Sequence, residues 1–215
     1  MTQQPQSGKE TSMTQPAYAF LRQEDGADWP AQGAWTYDDF LRLPDDGQRY
    51  EIIRGVLYVT PAPAYKHQFV AGRFFRQADA FAEEHGLGVV LMAPFDVLLP
   101  FGLGTPVQPD VVYLRTENVP HWEDKSFKGV PDLVAEVLSP GTRRRDQQTK
   151  LAVYRDAGVP ELWMLDPDAG RVVVHIFQER RYTELCRGGR GEEVWSSVLP
   201  GFRLAVDSLF PASRD

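Results

Sequence analysis

Apolar residues recur along this chain in two rhythms, and the places where the rhythm changes mark its elements. WTYDDFLRLPDD predicts a short helix, with Thr36 as N-cap, Asp39 three residues on and Pro44 ending it. RYEIIRGVLYVTP predicts two strands that turn at Arg54-Gly55. From Ala64 to His85 the spacing is helical: Val70, Phe74, Ala78, Phe81 and Ala82 share one face, and Gly86 closes the helix. GVVLMAPFDVLLP and PDVVYL predict strands, followed by a polar, aromatic loop, TENVPHWEDKSFKG. DLVAEVLS is the next strand, SPG a turn, and Thr142 to Ala157 a helix stopped by Gly158. ELWMLDP, RVVVHIF and RYTELC add three more strands, and no internal repeat is visible. This order implies a mixed sheet with a few helices, α/β or α+β.

One residue breaks its rhythm. In DLVAEVLS, Val134, Glu136 and Leu138 share one face, while Leu133, Ala135 and Val137 share the other. Both faces are apolar apart from Glu136, which is the pattern of a central strand covered on two sides. An isolated buried carboxylate costs several kcal/mol or more, so Glu136 needs a partner, a proton or a metal. A structural ion pair with Lys150 or an arginine satisfies that need as well as a functional site does.

Length and composition fit one folded domain: 215 residues, 42% hydrophobic and 12% aromatic. Residues 1–32, rich in Gln, Ser, Pro, Gly and Asp, are expected to form a mobile tail, with the domain spanning 33–215. The lone Cys186 excludes an internal disulfide, and MTQQPQSGKE lacks the form of a signal peptide, so a cytoplasmic setting is expected. No apolar stretch reaches the roughly 20 residues of a membrane helix, so no membrane partner is expected. The net charge of −7 argues against a nucleic-acid partner until its distribution is considered. Residues 1–47 hold eight acidic and three basic side chains, which leaves the remainder at −2, with Arg143, Arg144 and Arg145 as a basic patch.

Asp110, at the mouth of the PDVVYL strand, gives Glu136 a companion. Two carboxylates from two strand ends suit a hard divalent cation, because Mg²⁺ takes one or two carboxylates and completes its shell with water and substrate oxygens. In the following helix Asp146, Lys150 and Tyr154 are spaced to line one face, and Lys150 can reach back toward Glu136. Carboxylates holding a metal, with an ammonium nearby, suit attack of water on a phosphodiester.

The ordered series YEIIRG, a histidine, PDVVYL and DLVAEVLSPGTRRRDQQTKLAVYRDAGVPELWMLD resembles the Uma-type family of restriction-endonuclease-like proteins, a branch of the PD-(D/E)XK nuclease superfamily. The resemblance covers roughly residues 35–200 and is most specific in EVLSPGTRRRDQQTKLAVYRDAGV. It implies a mixed sheet flanked by helices and a site for Mg²⁺ or Mn²⁺ at one sheet edge. It also implies that Asp110 is the aspartate of the "PD" element, Glu136 the acid of "(D/E)XK" and Glu51 a further acidic residue of the site. The superfamily lysine belongs two residues after Glu136, where this chain has Leu138; Lys150 is the expected substitute. KLAVY also bears a weak likeness to the QxxxY helix element of some exonuclease-like relatives.

Other candidates carry two readings each. Glu51 is either a metal or water ligand or an exposed strand glutamate. His67 is either a general base or phosphate contact, or a helix-start histidine bonded to backbone. Arg143, Arg144 and Arg145 open a helix, where positive charge opposes the macrodipole, so they either bind phosphate or form a solvated run. His121, Trp122 and Phe127 either cover the site and stack bases or pack on the core. No G-x-S-x-G, GxGxxG, P-loop or paired CxxC is present. The expectation is therefore a Mg²⁺- or Mn²⁺-dependent nuclease acting on nucleic acid, DNA above all, with a homodimer expected by analogy with endonucleases that cut both strands. The alternative is a nuclease-fold module that binds DNA or protein without cutting, which the near-neutral domain and Leu138 favour.

Overall fold

The computed structural model describes residues 29–60, 62–100, 106–139 and 145–211. Its helices and strands follow the two rhythms closely. Helix α1 (Tyr37–Phe40) starts with a capping box, in which Thr36 and Asp39 satisfy each other's backbone N–H. Strands β1 (Arg49–Ile53) and β2 (Val56–Thr60) form an antiparallel hairpin in which Glu51 opposes Tyr58. Its turn puts Arg54 at φ 52° and Gly55 at φ 73°. Gly55 is required there: a Cβ would lie 2.4 Å from the carbonyl oxygen of Gly33, which closes over the turn.

Helix α2 (Tyr65–Glu84) buries Val70, Ala71, Phe74, Ala78 and Ala82. The expected run GVVLMAPFDVLLP divides into β3 (Gly88–Met92) and β4 (Asp96–Leu98), which join different sheets. Pro94 lies between them, and it has no N–H to continue a ladder. Then come β5 (Pro106–Val107), β6 (Val111–Arg115), β7 (Ser126–Lys128) and β8 (Leu133–Val137). Helix α3 (Arg145–Ala157) precedes β9 (Glu161–Asp166), β10 (Arg171–Gln178) and β11 (Arg181–Gly188). A last hairpin, β12 (Glu193–Trp195) and β13 (Arg203–Ala205), is one the patterning above does not predict.

The main sheet has the order β11-β10-β9-β8-β6-β3. Strands β8 and β9 are parallel and every other neighbouring pair is antiparallel, so α3 serves as the crossover between the two parallel strands. All five residues of β8 are buried. Leu133, Ala135 and Val137 join α2 in one core, where Phe74 meets Trp163 at 5.2 Å between ring centroids. Val134 faces the other core with Val153 and Tyr154 of α3, and with Val97, Val107 and Phe127 of the small β5-β4-β7 sheet. Each fully buried Val, Leu or Phe is worth about 1.5–3 kcal/mol relative to exposure, so the strand with two covered faces is the natural anchor for a fixed polar group. A third core, with Trp29, Trp35, Tyr50, Ile52 and Leu57, holds the first hairpin; Trp29 stacks on Trp35 at 5.4 Å. Residues 1–28 of the expected tail lie outside the described residues. Among the described residues, no helix is long and apolar enough to cross a membrane.

Candidate active site

Five elements bring polar side chains to one point near the C-terminal end of β8. Strand β1 alternates: Tyr50 and Ile52 enter the third core, while Ile53 enters the core beside α3, so Arg49 and Glu51 are turned the same way as Ile53. Glu51 is only 3% exposed, which settles its direction as inward. The backbone of Pro109 and Asp110 leads into β6, and Glu136 sits next to last in β8. Lys150 and Tyr154 come from successive turns of α3, and His67 from the first turn of α2.

Lys150 is the hub. Its Nζ lies 3.1 Å from Glu51 Oε1 and donates to both carboxylate oxygens of Glu136, at 3.2 and 3.3 Å. Tyr154 Oη donates to Glu136 Oε1 at 2.5 Å. Asp110 Oδ2 accepts from the Val137 backbone N–H at 2.8 Å and from His67 Nε2 at 3.0 Å. The other imidazole nitrogen, His67 Nδ1, is buried and has no hydrogen-bond partner among the described residues. Glu51, Asp110, Glu136, Lys150 and His67 are thus brought into one cluster.

The charges in this cluster set one another. Burial pushes Glu136 up to about 7; Lys150 and the Tyr154 hydrogen bond pull it down, while Asp110 and Glu51 push it up further. Burial alone would raise Asp110 too, but the hydrogen bond and charge of His67, then Lys150 and the Val137 N–H, hold it below the usual carboxylate range. Desolvation would lower Lys150, yet Glu136, Glu51 and Asp110 together keep it above its ordinary value, so its ammonium is fixed in the charged form. Three buried carboxylates thus share one buried ammonium, with His67 on Asp110 Oδ2 and the Arg49 guanidinium 3.8 Å from Asp110 Oδ1.

Asp110 and Glu136 offer hard oxygen donors from adjacent strands, which is the number of carboxylates Mg²⁺ uses. Among the described residues, no three His, Cys, Asp or Glu side chains are grouped to hold an ion by themselves.

Sequence patterning missed a second layer of the site. Arg49 Nε and Nη2 donate to Gln108 Oε1 at 3.2 Å and to the Gln108 carbonyl at 2.9 Å. Gln108 in turn donates its N–H to Glu51 Oε1 and its Nε2 to Asp96 Oδ1, both at 2.8 Å. Desolvation raises Asp96, against the lowering effect of that Gln108 bond. The available signal was the period-two spacing of Arg49 and Glu51; Gln108 gave none.

Other expected residues fall elsewhere. Arg143 and Arg144 lie outside the described residues, and Arg145 is placed only as the first residue of α3. Trp122 is fully exposed, whereas Phe127 is buried with Val97 and Val107 and so takes the core-packing one of its two readings: β7 pairing with β4 turns its ring into the core. Glu161, a second acid in an apolar strand, is fully buried opposite Leu133, at the other end of the β8–β9 pair from Glu136. It accepts from Trp163 Nε1, Ser196 Oγ, Ser197 N and Oγ, and Val198 N, at 2.6–3.3 Å.

Comparison with known proteins agrees with this architecture. Residues 37–207 match the model of the Uma2 family, described as "Putative restriction endonuclease". Among solved structures, a protein from Anabaena variabilis described as a "putative nuclease belonging to DUF820" superposes with a TM-score of 0.67. The two sequences are 21% identical, over 81% of this chain and 96% of that one, a likeness of fold. No curated protein matches the chain.

Proposed function

Because the chain belongs to the Uma2 family of restriction-endonuclease-like proteins, we propose that it is a divalent-metal-dependent endonuclease that hydrolyses phosphodiester bonds of nucleic acid, DNA in the first place. The observation that carries this reading is one ammonium, Lys150, in contact with Glu51 and Glu136 beside the buried Asp110. Asp110 and Glu136 would hold Mg²⁺ or Mn²⁺, which supplies Lewis acidity and neutralises phosphate charge.

The chain's own groups do the rest. Lys150 orients the attacking water and offsets the negative charge that grows as phosphorus becomes five-coordinate. Glu51 fixes the ammonium, and Tyr154 fixes the carboxylate of Glu136. His67 and the Val137 N–H hold Asp110 Oδ2, so that Oδ1 faces the substrate side. Cutting both strands of a duplex needs two such sites, which a homodimer supplies; a cytoplasmic setting gives access to DNA.

A nuclease-fold module that binds without cutting is the second reading. It is favoured by Leu138, half-buried at the position where the superfamily carries lysine. Purified protein incubated with supercoiled plasmid, single-stranded DNA and RNA in Mg²⁺ or Mn²⁺ separates the two. Cleavage by wild type, lost in both Asp110→Asn and Glu136→Gln, is the expected result. Cleavage that survives both substitutions sinks the site assignment. Salt-sensitive DNA binding without cleavage under either ion supports the second reading.

A further inference from the structure

Arg49 is held in a way that simple charge pairing does not explain. Two of its three guanidinium nitrogens are committed to Gln108, at 3.2 and 2.9 Å. Gln108 is itself pinned through Glu51 and Asp96, so its side-chain oxygen has one orientation. The third nitrogen, Nη1, stops 3.8 Å from Asp110 Oδ1, too far for a hydrogen bond. An arginine placed only to neutralise Asp110 would turn its fork onto the carboxylate and bond it twice at about 2.8 Å. Here the fork is turned onto Gln108 instead.

Asp110 completes the picture. Its Oδ2 is taken by Val137 N–H and His67, whereas Oδ1 has no hydrogen bond among the described residues. Arg49 Nη1 and Asp110 Oδ1 therefore face each other as an ion pair at 3.8 Å without a hydrogen bond between them, one a donor and the other an acceptor. The arginine side chain is 17% exposed and the aspartate 7%, so the pair lies just beneath the surface. A rigid, planar cation with two nitrogens anchored and one left over is well suited to grip one phosphate oxygen, and a lysine has no such geometry.

The geometry points to Arg49 as the residue that positions the substrate phosphate, with Nη1 donating to a non-bridging oxygen of the phosphodiester next to Asp110. This assignment rests on the nuclease reading above. Gln108 and Asp96 act through Arg49 as positioning residues, holding its plane. Because the guanidinium is fixed before substrate arrives, no side-chain entropy is lost when phosphate binds.

The test is binding of a short fluorescent DNA duplex in Ca²⁺, followed by anisotropy over a range of salt concentrations. Arg49→Ala should weaken binding about tenfold and make the slope of log affinity against log salt shallower by about one. Arg49→Lys keeps the charge without the anchored plane and should fall between the two, and Arg181→Ala, on the edge strand β11, should match wild type. Thermal unfolding of each variant reports folding separately, and Arg49→Gln serves if the alanine variant does not fold. A folded Arg49 variant with wild-type affinity and slope overturns the role of Arg49 while leaving the nuclease reading in place. A wild type that binds neither duplex, single strand nor RNA overturns both.

Discussion

Lys150 donates to both carboxylate oxygens of Glu136 and so links α3 to β8. The pair is buried together with Glu51, so removing Lys150 leaves two carboxylates buried without their shared ammonium. Lys150→Met should abolish cleavage and cost about 3–5 kcal/mol of stability, the usual cost of leaving a buried charge unpaired. Urea unfolding beside a cleavage assay checks both parts. A stable but inactive Lys150→Met would mean that Glu136 takes up a proton at no great cost.

Tyr154 tests how far Glu136 needs fixing. Tyr154→Phe removes only the hydroxyl that donates at 2.5 Å and leaves the ring in its core. A loss of about 1–3 kcal/mol is expected, as for a hydrogen bond to a charged group. The turnover number should fall more than the substrate affinity, since the phenol acts through its hydrogen bond to Glu136. Equal changes in both would assign Tyr154 to substrate binding.

Glu161 is expected to separate stability from activity. Its carboxylate gathers Trp163, Ser196, Ser197 and Val198 and so ties the segment before β13 to the main sheet. Glu161→Ala should destabilise the fold by about 3–5 kcal/mol through its orphaned donors. Hydrogen exchange at Ser197 and Val198 should accelerate most, while cleavage per folded molecule stays near wild type.

His175 makes a small contribution to acid sensitivity. Desolvation in β10 lowers its pKa, with Glu184 opposing and Arg187 reinforcing. The unfolded chain therefore takes up this proton first as pH falls, so the stability present near neutrality is lost on passing below the ordinary histidine pKa of about 6.5. Denaturant midpoints at about pH 7.5 and about pH 5.5 should differ less in His175→Phe than in wild type. An unchanged difference would place the acid sensitivity elsewhere.

Much of the site was legible because its acids break apolar rhythms. Glu136 stands out in DLVAEVLS, and helical spacing puts Lys150 and Tyr154 on one face toward it. Yet the same signature occurs in ELWMLD, where Glu161 is an equally misplaced acid. What separates the two is the identity of their partners: an ammonium and a phenol for Glu136, neutral hydroxyl, indole and backbone donors for Glu161. Those partners of Glu161 lie up to 37 residues away, beyond the reach of local periodicity. Arg49 and Gln108 are likewise 59 residues apart, joined only once the first hairpin docks against the β5–β6 segment. The elements came from local pattern; the second layer of the site depended on tertiary pairing.

The hairpin of β1 and β2 reaches the site from the start of the domain, and α3 reaches it from a point about a hundred residues later in the chain. During synthesis, then, Glu51 and Arg49 emerge long before Lys150 exists to meet them. Closing so long a loop is slow relative to forming the helices themselves. A chain released early, or one whose first hairpin has not docked, would contain every acid of the centre but no assembled centre. On the proposed function, hydrogen-exchange protection of the hairpin should therefore rise together with cleavage as refolding proceeds.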